Sequence, residues 1–182
     1  MMTNVSEKAL PTMKGRVAWI FDEEDYDIDQ IIGVKNIRIQ DMDELCGIAM
    51  KTYDPEFQSL VKPGDLLVGG DNFGFGHPHS PPMKAMRHMG IGGVIAESFA
   101  PTYYRGETAM GFPQITCKGI LSAVARWDDI RVDWQRAKVL NLTQDTELTF
   151  EMPSKTEQNL LIHGGHLNYL YETFSGAAER KD

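Results

Sequence analysis

The chain has little cysteine, no concentrated positive charge and no long apolar run. Two of its 182 residues are cysteine. Cys46 and Cys117 lie far apart, form no CxxC pair, and do not supply the ligands of an iron–sulfur cluster or a structural zinc. No metal site or cofactor bound by this chain is therefore expected. The two read as free buried thiols in a reducing cytoplasm, the expected compartment. Lys and Arg number 18 against 26 Asp and Glu, a formal charge of −8. Without a Lys/Arg cluster, nucleic acid is not expected as a partner. An anionic small molecule stays compatible, because a helix end holds an anion locally. No apolar stretch approaches the length of a membrane span, and the opening "MMTNVSEKALPTMKG" lacks the apolar core of a secretory signal, so no membrane partner is expected. No repeat or interdomain linker is visible. A chain of this length buries roughly 70% of its unfolded surface. One domain over 15–174 is expected, between a flexible arm (1–14) and a flexible tail (175–182).

What is present is an alternation of apolar strands and amphipathic helices. "GRVAWIF" (15–21) reads as a buried strand, followed by the acidic "DEEDYDIDQII". Asp41 is an N-cap candidate with Glu44 as its capping-box partner. Met42, Leu45, Ile48 and Ala49 then share a helical face, and Pro55 is expected to stop that helix. "LLVGG" (66–70) reads as a short strand. Ser80 reads as the N-cap of the next helix, with Pro81 at its first position and Gly90 at its end. Met83, Met86 and Met89 are spaced as core packing, and His88 reads as structural. "GGVIAES" (92–98) is another strand. Strand, glycine-rich turn, helix and strand make a βαβ-type unit, expected to be parallel and right-handed. "FAPTYYRGETAMG" reads as a helix. Later, "IRVDW", "AKVLNL" and "ELTFEM" read as antiparallel strands. Two helices close the chain. Ser154 and Glu157 cap the first. After a break at Gly164-Gly165, the second carries Leu167, Leu170, Tyr171 and Phe174 at helical spacing.

The segment "GDNFGFGHPHSPP" (70–82) carries the functional question. A glycine-rich turn after a buried strand lets backbone N–H groups face a ligand, and the following helix start adds partial positive charge. Together these suit a carboxylate or a phosphate. The spacing matches neither a Walker A loop nor a full GxGxxG, so no nucleotide is specified.

"GDNFGFG", then "GIGGVIAESFAPTYYRGETAMGFPQI", resembles the small subunit of 3-isopropylmalate dehydratase, the swivel-domain part of the aconitase superfamily. The likeness runs back through "YDPEFQSLVKPGDLLVGG" and "DIDQII", and forward to "GGHLNYL", about residues 15 to 172. It implies an α/β fold: a single swivelling β/β/α domain with a small mixed, barrel-like sheet and flanking helices. It also implies a large partner subunit carrying a [4Fe–4S] cluster, a small carboxylate substrate and a hydro-lyase reaction on a malate-type di- or tricarboxylate. A homo-oligomer is possible when the chain is isolated. The family pattern after the glycine turn is Gly-Ser-Ser-Arg-Glu-His, where this chain has Gly76-His77-Pro78-His79-Ser80-Pro81. Placed without gaps, His77 falls on the serine that acts as base, and His79 on the arginine that grips a carboxylate. The family's substrate-selecting stretch is here "GVKNIRIQ", without the usual aromatic–leucine run, which points to a different substrate.

Three readings of the loop stay open. In the first the site is rebuilt: His77 is the base and His79 a carboxylate contact, with Asn72, Gly74, Gly76 and Ser80 shaping the anion site. An imidazole with an ordinary pKa of about 6.5 is a competent proton acceptor near neutral pH. In the second the two histidines bind a metal, with His163 and His166 as further imidazoles, in a metal-dependent lyase. In the third the chain is a non-catalytic paralogue that stabilises or regulates a partner. Asp27 and Asp29 are candidates to line the cleft, as the matching acids do in the family. Arg105 is a candidate replacement for the missing carboxylate contact.

Overall fold

A computed structural model describes residues 9–178. Strand β1 (Lys14–Phe21) leads through 3-10 turns at Ile28–Ile31 and Val34–Asn36 to helix α1 (Met42–Ile48) and the short α2 (Phe57–Leu60). Then follow β2 (Leu66–Gly69), α3 (Ser80–His88), β3 (Gly93–Ala96), α4 (Pro101–Ala109) and β4 (Gln114–Thr116). The rest is α5 (Ile120–Ala123), β5 (Asp129–Asp133), β6 (Lys138–Asn141), β7 (Thr146–Thr149), α6 (Lys155–His163) and α7 (His166–Ala178).

The strands form one seven-stranded sheet in the order β4-β3-β2-β1-β5-β6-β7. β1 to β4 pair in parallel, whereas β5, β6 and β7 join β1 in an antiparallel run. An antiparallel bridge between Thr116 and Glu151 ties the β4 edge to the chain just past β7, curling the sheet into a half-barrel. The mixed, barrel-like α/β fold that the resemblance implies is the one observed.

Period-two alternation divides the core. Val17, Leu66, Val68 and Ile95 point to the barrel interior with Met13, Ile115 and Cys117. Ala18, Leu67, Val94 and Ala96 point to the other face, where Met83 and Met86 of α3 and Leu45 of α1 cover them. Parallel strands covered on both faces need continuous apolar sequence, which is why "LLVG" and "GVIA" carry no polar residue.

Several boundaries differ from the sequence reading. Helix α1 stops at Ile48, well before Pro55. Met50 is fully buried at φ +64 and donates its N–H to the Ile31 carbonyl at 2.7 Å, so a tertiary contact ends the helix before proline does. Asp41 caps it through the Glu44 N–H at 2.8 Å. At α3 the capping position is His79, not Ser80, and its side chain makes no cap bond. The box at α6 forms in both directions, with Ser154 accepting from the Glu157 N–H and Glu157 accepting from the Ser154 N–H. Residues 1–8 of the expected arm lie outside the described residues. Met13, assigned to that arm, is instead a core side chain at 1% exposure, and the Pro11 carbonyl accepts from the Trp134 indole at 2.8 Å. At the other end α7 runs to Ala178, through the start of the expected tail, while 179–182 lie outside the described residues. The apolar face of α7 is uncovered in the single chain: Leu167, Tyr171 and Phe174 are exposed, and Leu170 nearly half so. No helix among the described residues is long and apolar enough to cross a membrane.

Candidate active site

The 70–82 loop sits at the C-terminal ends of β1, β2 and β3, where open α/β sheets place their binding crevices. The Gly70 N–H bonds the Phe21 carbonyl at 2.8 Å and the Glu97 N–H bonds Gly69 at 3.1 Å, so the three strand ends are stitched together. Phe73 plugs the loop into an aromatic cluster, stacked on Tyr26 and edge-on to Phe99 and Tyr103. The N–H groups of Gly74 and Phe75 both reach the Tyr26 carbonyl, at 2.9 and 3.1 Å. Gly74 turns at φ +86, and a Cβ there would lie 2.2 Å from the Tyr103 ring, so only glycine lets the loop lie against α4.

Asn72 is engaged within the protein. Its side chain donates to Asp25 at 2.6 Å, and its N–H goes to the Ser98 hydroxyl at 2.8 Å. Ser98 in turn donates to Asp71, which Lys118 also pairs at 2.8 Å. Asn72 thus ties the acidic loop to the strand ends, a structural role. Gly76 is exposed, with the Asp27 carboxylate 3.9 Å from where a Cβ would stand.

Asp27 and Asp29 lie beneath the loop rather than on the cleft wall, Asp27 half-buried and Asp29 buried. Asp27 caps the 3-10 turn by accepting the Asp29 N–H at 2.9 Å. Asp29 is 3% exposed. One of its oxygens accepts the His79 backbone N–H at 3.2 Å, and the other lies 2.6 Å from His79 Nδ1. Two residues 50 apart in the chain thereby form a carboxylate–imidazole pair. His77 is exposed, and its ring meets His79 edge-on with centroids 5.4 Å apart.

His79 opens onto a cleft of about 330 Å³. Pro78, His79 and Ser80 line it with Ile28 on one side, and Tyr103, Gly106 and Glu107 of α4 with its C-cap Met110 on the other. The α4 residues went unnoticed in the sequence, although 103, 106, 107 and 110 are one helical face. Arg105, chosen there instead, is exposed and does not line the cleft. It lies about 100° per residue around the helix from its neighbours, which turns it off that face. Glu107 is buried; desolvation raises its carboxyl above the usual range despite its ion pair with Arg87. The Tyr103 hydroxyl is buried without a hydrogen-bond partner among the described residues, and burial drives its pKa well up.

The expected anion cradle is thinner than the sequence suggested. Pro78, Pro81 and Pro82 have no N–H, and that of His79 is taken by Asp29. Those of Gly74 and Phe75 are taken by Tyr26. Among the described residues, the loop's backbone donors without a protein partner reduce to Asp71, Gly76, His77 and Ser80. Two helix positions that would add positive potential are prolines.

The metal reading finds no support in the geometry. Among the described residues no group of three or more His, Cys, Asp or Glu is arranged to hold an ion. His163 pairs with Glu172 at 2.6 Å and His166 faces the Ala109 carbonyl at 2.9 Å, each occupied locally. Cys46 and Cys117 are buried in separate core clusters, so these residues do not fit an iron–sulfur cluster.

No family model matches the chain. Over 158 residues it is 36% identical to the isopropylmalate/citramalate isomerase small subunit of Methanocaldococcus jannaschii, covering 87% of this chain and 93% of that one. Over 161 residues it is 33% identical to the methanogen homoaconitase small subunit of Methanothermobacter thermautotrophicus, covering 88% and 92%. A solved 3-isopropylmalate dehydratase structure from Methanocaldococcus jannaschii superposes with a TM-score of 0.82 at 29% identity, over 93% of this chain and 99% of that one.

Proposed function

The chain belongs to the family of 3-isopropylmalate dehydratase small subunits and their isomerase relatives, and from that premise we propose that it is the small subunit of a two-component hydro-lyase. It adds and removes water on a malate-type di- or tricarboxylate, together with a large subunit that carries a [4Fe–4S] cluster. The Lewis-acid chemistry of such a cluster belongs to the partner, since this chain's cysteines are buried and apart. The observation that carries the reading is the match along nearly the whole length of named small subunits. The loop at the strand ends supports it, as does the uncovered apolar face of α7, a surface of the kind subunit interfaces use. We place the complex in the cytoplasm.

A second reading, a non-catalytic partner subunit, is favoured by one observation: among the described residues no guanidinium or ammonium group lines the cleft beside His79. One experiment separates the two. The chain is co-expressed with a large subunit from the same genome, purified without oxygen, and assayed for hydration of a panel of unsaturated dicarboxylates. A stoichiometric complex with turnover supports the enzyme. A stable complex inert on every member of the panel supports the regulatory reading.

A further inference from the structure

We propose that His79, oriented by Asp29, is the proton-transfer group of this site and that His77 contacts the substrate carboxylate; this rests on the hydro-lyase reading above. Placement on the family pattern assigns the two histidines the other way round. The geometry exchanges them.

A side chain that moves a proton at one atom has to be held there, commonly by a third group on its far side. His79 is held at two points by one buried carboxylate, through its backbone N–H at 3.2 Å and its Nδ1 at 2.6 Å. The backbone of Asp29 is itself held, because Asp27 accepts the Asp29 N–H at 2.9 Å. Prolines at 78 and 81 restrict the backbone on either side. In the neutral ring, a carboxylate at Nδ1 favours the tautomer with the proton on that nitrogen and leaves the Nε2 lone pair to the cleft. The ring is 38% exposed and lines the cleft, so Nε2 is the end available to a ligand. His77 has no such holder. It is exposed, and it adjoins the unengaged N–H groups of Gly76 and its own backbone, a setting for a carboxylate rather than for a directed proton transfer.

In the dehydration direction, His79 Nε2 takes the proton from the carbon next to a substrate carboxylate. The C–H electron pair becomes the new C=C bond, and the hydroxyl leaves the adjacent carbon. The proton on His79 and the departing hydroxide together make the water lost, so no oxidant or reductant is needed. Hydration runs the same steps backwards. Asp29 is buried away from the substrate and is a positioning residue.

The test uses the small–large complex and a histidine spectrum. His79→Ala is expected to lower kcat by roughly 10²–10⁴-fold, the usual worth of a general base. Asp29→Asn is expected to lower kcat at least about tenfold while leaving KM within roughly threefold, the split of a group acting at the transition state. His77→Ala is expected to raise KM and largely keep kcat. His88→Ala, exposed at the far end of α3, controls for loss of a surface imidazole. A kcat loss that follows His77 instead of His79, or an Asp29→Asn effect confined to KM, overturns the assignment. Independently of turnover, a proton–nitrogen correlation spectrum of the imidazoles reports the tautomer. A proton on His79 Nδ1, lost in Asp29→Asn, supports the pair, whereas a neutral His79 protonated only at Nε2 overturns it. A pair intact by spectrum in a complex that turns over nothing refutes the hydro-lyase reading, and the proton-transfer role falls with it.

Discussion

Gly74 and Gly119 form a matched pair of perturbations. Their backbones turn at φ +86 and +85, so an alanine at either position pays the same left-handed strain. That strain is about 1–2 kcal/mol for an L-residue. Their surroundings differ. A Cβ at 74 would lie 2.2 Å from Tyr103 Cγ and 2.4 Å from Tyr103 Cβ, whereas nothing lies within 4 Å of one at 119. Gly119→Ala is therefore expected to cost strain alone. Gly74→Ala adds overpacking of about 1–3 kcal/mol, for a total of about 2–5 kcal/mol. For a chain of this size each kcal/mol lowers Tm by roughly 2–4 °C. Thermal and urea melts of the two variants, followed by circular dichroism, read the difference. Because the Tyr103 Cβ itself is in the way, adding Tyr103→Ala to Gly74→Ala should not restore stability. Equal losses at 74 and 119, or recovery in the double variant, would refute the claim that the loop is seated by close backbone contact with α4.

Other outcomes follow from buried polar groups and thiols. Burial alone would raise the Asp128 carboxyl, but the donors Ala125 N–H, Asn141 and Gln144, at 2.8, 2.7 and 2.5 Å, outweigh it and hold the group below its usual range. A lowered folded-state pKa stabilises the fold above the unfolded value of about 3.9, and the benefit is lost as pH falls below it. Asp128→Asn should cost about 1.5–3 kcal/mol at pH 7, and the gap to wild type should shrink in urea melts below pH 4; a gap independent of pH would contradict this. Burial, with Glu97 nearby, pushes the Cys117 thiol up to about 11, and burial raises Cys46 as well. Both should resist a thiol reagent at pH 8 until the chain unfolds, since thiolate is the reactive form. Rapid labelling of the folded protein at either position would show the core to be more open than described.

Much of the architecture was readable from local pattern. "LLVG" and "GVIA" announce buried parallel strands because both faces of a covered strand are apolar. Ser154 and Glu157 announce a helix start because the box closes within four residues. The glycine turn between a strand and a helix start located the loop, and the family likeness gave it a role. The errors share one cause. The end of α1 is set by Met50 reaching Ile31, and the start of α3 by a histidine turned toward Asp29. Arg105 looked attractive for its charge, while the cleft takes the other face of the same helix. The three prolines of the loop were visible throughout, and their missing N–H groups already weakened the anion cradle.

By itself the sequence determined most of the longer strands and helices, the two-sided burial of the central strands and the position of the glycine turn, because periodicity, caps and turn residues act over a few neighbours. Only the tertiary structure decided what the histidines are. Asp29 and His79 are 50 residues apart, one on a 3-10 turn after β1 and the other at the head of α3. Nothing local in either segment records their meeting. The parallel sheet brings the ends of β1 and β2 side by side, and a hydrogen bond across that gap depends on the packing of both elements. That packing turns an exposed-looking His-Pro-His stretch into one oriented imidazole and one free one.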